Sequence, residues 1–187
     1  MWQSQPYYVE VWSEKDAITG ILHRAVGGYG VPVFSCRGFT SLSSLMSCAE
    51  TFKRAIYRGK EPIVLYFGDH DPSGSMIDLK AEETLLKDFH VAVKFRRIAI
   101  HEEQIVDYDL PTRPAKKTDT RSRNWEGDQC VEVDTLSTKQ LEFLAENALL
   151  NLIDRDAWMH ERRIEELEKD SLETAFIEFL PPRMSEE

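Results

Sequence analysis

Apolar residues along the chain fall into short β-branched or aromatic runs that alternate with stripes at helical spacing. The runs are Tyr7 to Trp12, Val31 to Cys36, Ile63 to Phe67 and Val91 to Ile100, and each reads as a strand. Between the first two, Ile18, Ile21, Leu22 and Ala25 fall at i, i+3, i+4 and i+7. Ser13 and Asp16 are spaced as a capping box ahead of this stripe, and Gly27-Gly28-Tyr29-Gly30 terminates it. Leu42, Leu45, Met46, Ala49, Phe52 and Ile56 trace a second helix, and Ile77, Ala81 and Leu85 a third. Three successive strand-helix units predict an α/β fold, a parallel sheet with right-handed crossovers and helices on both faces.

The pattern changes after Ile100. His101 to Leu110 predicts a short helix, and Pro111 to Asn124, with two prolines and no large apolar residue, predicts a loop. Cys130 to Asp134 predicts a last strand, and Leu141, Leu144, Ala145, Ala148, Leu149 and Leu152 mark an amphipathic helix. Asp154 to Leu180 is charged, with sparse apolar residues too irregular for a coiled coil, so it reads as a solvated helix packed on the sheet or a partner.

Composition narrows the class. The 187 residues are 42% hydrophobic and 30% charged, the profile of a globular chain long enough for one well-buried domain and an appendage. With 33 acidic against 23 basic residues the net charge is −10, which excludes a uniformly basic nucleic-acid binder. Contact with a polyanion then falls to a local patch or to bound cations. One patch stands out: Arg113, Lys116, Lys117, Arg121 and Arg123 face a single acid, Asp119, between positions 113 and 123. It is a candidate for holding a nucleic-acid backbone, with an ordinary solvated loop as the alternative.

Cys36, Cys48 and Cys130 are odd in number and form no C-x-x-C pair, so they read as reduced thiols of a cytoplasmic chain. The opening residues do not spell a secretory signal, and no apolar run reaches membrane-spanning length.

The chemistry concentrates where the third strand ends, at Gly68-Asp69-His70-Asp71-Pro72-Ser73-Gly74. Residues two apart on an extended chain point to one side, so Asp69 and Asp71 can face one point beyond the strand, where open α/β sheets bind ligands. Asp71 could merely cap the helix that Pro72 opens. A second carboxylate beside it calls for a cation. If the first and third strands are neighbours, Glu14, just past the first strand, joins this pair, although an acid in the first turn of a helix also suits the helix dipole. Three converging carboxylates suit Mg²⁺ or a similar hard cation. His70, between the aspartates, should point away from them. Glu132 and Asp134 alternate along the last predicted strand and could add ligands. Arg37, at another strand end, could clamp a phosphate, and Lys15 could act likewise.

Trp12-Ser13-Glu14-Lys15-Asp16-Ala17, Arg37-Gly38-Phe39 and Gly68 to Gly74, each following a strand, resemble a Toprim domain, the module shared by topoisomerases, primases and certain nucleases. The D-x-D-P-x-G form is most similar to the A subunit of topoisomerase VI and its meiotic double-strand-break relatives. The resemblance extends through Leu110 to Lys116 and Val131 to Leu136 to bacterial and phage proteins that carry this domain after an amino-terminal region. It covers roughly residues 5 to 154. It implies a Toprim domain over 5–135 with a helical extension over 136–187, and Mg²⁺ or Mn²⁺ as cofactor. Glu14, Asp69 and Asp71 are then the metal ligands, with Glu14 also a general acid or base and Arg37 a further catalytic group. Lys15, Arg113, Lys116, Lys117, Arg121 and Arg123 would contact DNA.

The chain departs from that family in one respect. The nucleophile of topoisomerase VI-like enzymes is a tyrosine on a winged-helix domain that precedes the Toprim domain, and no tyrosine here can be given that role. The expectation is a DNA strand-cleaving module that works with a tyrosine-bearing winged-helix domain or subunit, as a homo-oligomer, or by activating water. A metal-dependent binding module that does not cut is the alternative. A dehalogenase-type phosphatase fits less well, because its Asp-x-Asp sits on the first strand and is followed by Gly-Thr.

Overall fold

The structure, a computed structural model, describes residues 2–36, 42–114 and 129–179. Its main sheet has four parallel strands: β1 (Tyr7–Ser13), β2 (Val33–Ser35), β3 (Glu61–Phe67) and β4 (Lys94–Ala99), in the order β2-β1-β3-β4. Successive connections leave β1 in opposite directions, so the order reverses between β1 and β3, and these two strands pair along their whole length from Tyr7↔Glu61 to Ser13↔Phe67. Pro62 sits inside β3 without disturbing it. The amide of Glu61 bonds to Pro6 on the β1 side, and β4 pairing begins only at Ile63, so the missing N–H of Pro62 faces no strand.

Helices cover both faces. On one, α1 (Asp16–Val26) and α5 (Thr138–Leu150) pack together, and Ile18, Leu22, Val26, Leu141, Ala145 and Leu149 are buried with Val9, Val11, Ile63, Leu65 and Phe67 from the strands. On the other, α2 (Leu42–Tyr57) and α3 (Ile77–Lys87) close over Trp12, Val64 and Tyr66, with Leu45, Ala49, Phe52 and Leu85 as their buried contribution. The alternation along β1 and β3 therefore assigns residues to faces as period 2 requires. Met46 and Ile56, expected in the stripe of α2, are exposed.

Two local expectations differ from the structure, and a third is met. Ser13 and Asp16 do not form a capping box: Lys15 is the N-cap of α1, and the Ser13 hydroxyl bonds both the amide and the carbonyl of Lys15 instead. The last expected strand does not join the main sheet. Its first residues form β6 (Gln129–Cys130), antiparallel to β5 (Arg113–Pro114), then a single bridge joins Val131 to His70 and a 3-10 turn follows at Val133–Thr135. The short helix after Ile100 is α4 (Glu102–Asp107), with His101 and Gln104 forming a reciprocal cap.

Pro6–Leu152 form one compact unit, so α5 belongs with the sheet and the extension begins later than position 136. The second unit comprises Met1–Gln5 and Ile153–Glu187. Within it the long helix α6 (Arg155–Phe179) starts at Asp154, whose carboxylate accepts the amides of Asp156 and Ala157. Gln5 bonds the amide and carbonyl of Asp154 through its side chain, and Trp2 meets Trp158 edge to face. Among the described residues no helix is long and apolar enough to cross a membrane.

Candidate functional site

Because Ser13 and Phe67 are register partners, β1 and β3 end at the same level and the chain leaves both side by side. The Glu14 amide donates to the Phe67 carbonyl at 2.8 Å, and one residue beyond Gly68 the Asp69 amide donates back to Glu14 Oε2, also at 2.8 Å. Glu14 is thus brought to Asp69 at the crevice where the strand order reverses, as the sequence led us to expect. Gly74 makes the closure possible. A Cβ there would lie 2.5 Å from the Asp69 carbonyl oxygen and 3.1 Å from Glu14 Oε2, so only glycine lets this turn fold over the strand end.

Each of the three carboxylates commits one oxygen to the fold. Glu14 Oε2 takes the Asp69 amide, with the Tyr66 hydroxyl at 3.4 Å. Asp69 Oδ1 accepts the Val133 amide at 2.7 Å and lies 3.6 Å from the Lys15 ammonium. Asp71 Oδ1 accepts the amides of Ser73 and Gly74 at 2.8 and 2.6 Å and so closes the turn, but it does not cap a helix, because α3 begins only at Ile77 with Met76 as its N-cap. Among the described residues, Glu14 Oε1, Asp69 Oδ2 and Asp71 Oδ2 have no hydrogen-bond partner.

Burial raises the pKa of Glu14, and the neighbouring Asp69 and Asp71 charges push it the same way against the opposing Asp69 amide. Burial likewise raises Asp69, with the Val133 amide and Lys15 acting against it and Asp71 and Asp134 adding to it. Among the described residues no three acidic, histidine or cysteine side chains already stand as a metal cage. Carboxylate oxygens are the ligand type that a hard divalent cation takes.

Glu132 and Asp134 do share a face. Both reach the Lys15 ammonium at 2.7 Å, while Val131 and Val133 turn inward and are buried. Lys15 is therefore enclosed by carboxylates. Arg113 pairs with Glu132 from the exposed ribbon β5-β6. Pro114 pairs with Gln129 in the same ribbon. Arg37, Lys116, Lys117, Arg121 and Arg123 lie outside the described residues. The His70 side chain lines a recess of about 280 Å³ with Ser75, Arg97, His101 and Glu102, and burial lowers its pKa.

No family model, curated protein or solved structure matches the chain.

Two residues that sequence reasoning passed over support the centre from beneath. Arg97 on β4 makes a two-point ion pair with Asp78 of α3 at 3.0 and 3.1 Å, donates to the Gly74 carbonyl at 2.7 Å, and lies over the Tyr66 ring at 5.0 Å. It ties the strand end, the turn and the start of α3 into one piece. A bulge follows directly, since Tyr66 pairs with Arg97 but Phe67 with Ala99. Tyr66 is fully buried, and burial followed by the Glu14 charge raises its pKa, so it is a poor nucleophile. The sequence signal for Arg97 was the adjacent pair Arg96-Arg97 in an apolar run, which sends one guanidinium to each face.

Proposed function

We propose that this chain is a Toprim-type module that holds Mg²⁺, or Mn²⁺, through Glu14, Asp69 and Asp71 and takes part in cutting a DNA strand, as one part of a topoisomerase-like or nuclease assembly. The observation that carries the reading is the Glu14–Asp69 contact at the crevice between β1 and β3, with one carboxylate oxygen of each fixed by a backbone amide. Such an ion, when bound, neutralises charge on the phosphoryl oxygens. Glu14 is suited to proton transfer: burial raises its pKa towards the range in which a carboxyl can give a proton to a leaving oxygen or take one from an attacker. The Asp69 amide orients it for that task. Arg113, which pairs with Glu132, and the basic residues Lys116, Lys117, Arg121 and Arg123 that follow it in the sequence suit a role in holding the strand backbone. The nucleophile is supplied by a tyrosine-bearing partner or by water.

A module that binds without cutting is the second reading, favoured by Lys15, which already compensates Asp69, Glu132 and Asp134. Supercoiled plasmid and linear single-stranded DNA incubated with the chain in Mg²⁺ or Mn²⁺ separate the two. The cleaving module nicks only with metal and loses nicking in Glu14→Gln and in Asp69→Asn. DNA retention with metal and no nicking supports the binding module.

A further inference from the structure

Lys53 to Lys60, Lys-Arg-Ala-Ile-Tyr-Arg-Gly-Lys, carries four cations and no acid in a chain of net charge −10. It forms the end of α2 and the turn out of it. Gly59, at φ +77°, donates to the Ile56 carbonyl at 2.8 Å, and the Lys60 amide reaches back to the Ala55 carbonyl at 3.0 Å, which together make a Schellman turn. Tyr57 and Arg58 are thereby fixed at the corner where the helix stops. Arg54, Tyr57 and Arg58 stand at i, i+3 and i+4, so their side chains share one face of α2. All three are exposed, and Tyr57 at 93% contributes nothing to the core. The acids that flank the run are already compensated, Glu50 by Lys53 at 3.2 Å and Glu61 by Lys94. Arg54 bonds the Thr51 hydroxyl at 3.1 Å, and among the described residues neither it nor Arg58 meets a carboxylate. The carboxyl end of a helix attracts cations by its dipole, but that dipole amounts to about half a negative charge. Lys53, Arg54, Arg58, Lys60 and Lys94 against Glu50 and Glu61 exceed it.

We propose that this corner is a contact for single-stranded nucleic acid, in which the Tyr57 ring stacks on an unpaired base while Arg54 and Arg58 hold phosphates on either side of it. Stacking on an aromatic ring accepts any base, and neutralised backbone charge supplies the affinity. A duplex keeps its base faces inside the stack, so the exposed ring calls for an unpaired strand. An anionic membrane would attract the same charges, but it needs a wider apolar face than Tyr57 and Ile56 provide. The corner is distinct from the carboxylate centre. Because α2 connects the parallel strands β2 and β3, it returns against their direction, and Lys60 leads straight into β3 at Glu61 while the carboxylates follow the other end at Phe67. The seven residues of β3 set the two about 20 Å apart. The contact needs no metal ion and does not depend on the cleavage reading above.

The test follows the fluorescence anisotropy of a labelled oligothymidylate with the full chain in EDTA across a salt series. The wild type should bind, with log K falling linearly as log salt rises. Tyr57→Ala should weaken binding about 10-fold, as the loss of one stacked base does, with the salt slope unchanged, and Tyr57→Phe should keep the affinity. Arg54→Gln and Arg58→Gln should each lower the slope by about 0.7, the share of one phosphate contact on a single strand. The substituted side chains are exposed, so the core stays intact. No binding by the wild type, or variants within twofold of it at every salt concentration, overturns the proposal. So does binding to phosphatidylserine vesicles through the same three residues with none to the oligonucleotide, which would assign the corner to a membrane. Metal-dependent nicking is scored separately: its absence leaves this contact standing, and nicking without binding in EDTA brings down the contact alone.

Discussion

At Gly74 a single hydrogen atom decides whether the centre closes. The obstacle to any larger residue is the Asp69 carbonyl oxygen, 2.5 Å from where a Cβ would be, and a backbone atom held in the strand-end turn cannot swing aside as a side-chain tip can. Gly74→Ala should therefore cost about 1–3 kcal/mol, as overpacking at a rigid site does. It should also displace Glu14, whose Oε2 stands 3.1 Å from the same point. A urea midpoint equal to that of the wild type would sink this account. Sequence reading explained Gly74 only as part of a turn. The demand for space was illegible because it arises only when the turn folds Gly74 back onto the Asp69 carbonyl oxygen.

Among the elements, β4 and α3 are joined by the buried pair of Arg97 and Asp78, both largely shielded from solvent. Arg97→Met leaves Asp78 charged and alone, a loss of roughly 3–5 kcal/mol for breaking one side of a buried pair. Arg97→Met with Asp78→Leu should recover most of that loss, and urea unfolding of the four proteins as a double-mutant cycle measures it. Additive losses would refute the coupling. The strands and their helices were legible because their apolar residues repeat at 2.0 or near 3.6 positions, and period alone separates the two. The capping box at Ser13 was misread since a hydroxyl can satisfy the turn of its own strand end as well as a helix. The segment from Cys130 to Asp134 was misread as a full strand. Its alternation is real, but Val131 offers only one bridge before the chain coils at Val133.

For the whole molecule, buried carboxyls set the response to pH. Glu10 is 1% exposed and accepts the Trp12 indole N–H at 2.7 Å and the Tyr8 hydroxyl at 2.9 Å. Its pKa is raised, by burial first, and those of Glu14 and Asp69 are raised for the same leading reason. A folded-state pKa above the unfolded one means that the folded chain holds more protons in between. The stability from these groups is complete below the unfolded carboxyl range, about pH 4, and is lost as pH rises through the raised folded values. The urea midpoint should fall from pH 5 to pH 8. Glu10→Gln, which can still serve both Trp12 and Tyr8, should flatten that slope, and an unchanged slope would count against it. The unit boundary after Leu152 was illegible for a related reason. Nothing in the spacing of Leu141, Ala145 and Leu149 says which surface they cover, and it is packing on α1 that joins α5 to the sheet unit.

Glu14 is held by the main-chain N–H of Asp69 and not by its carboxylate. The two acids can therefore be separated genetically. Asp69→Asn removes a negative charge yet keeps the amide that aims Glu14, and Glu14→Gln keeps an oxygen for that amide while removing the titratable proton. Single substitutions here report on chemistry with the scaffold intact, which few clustered carboxylates permit.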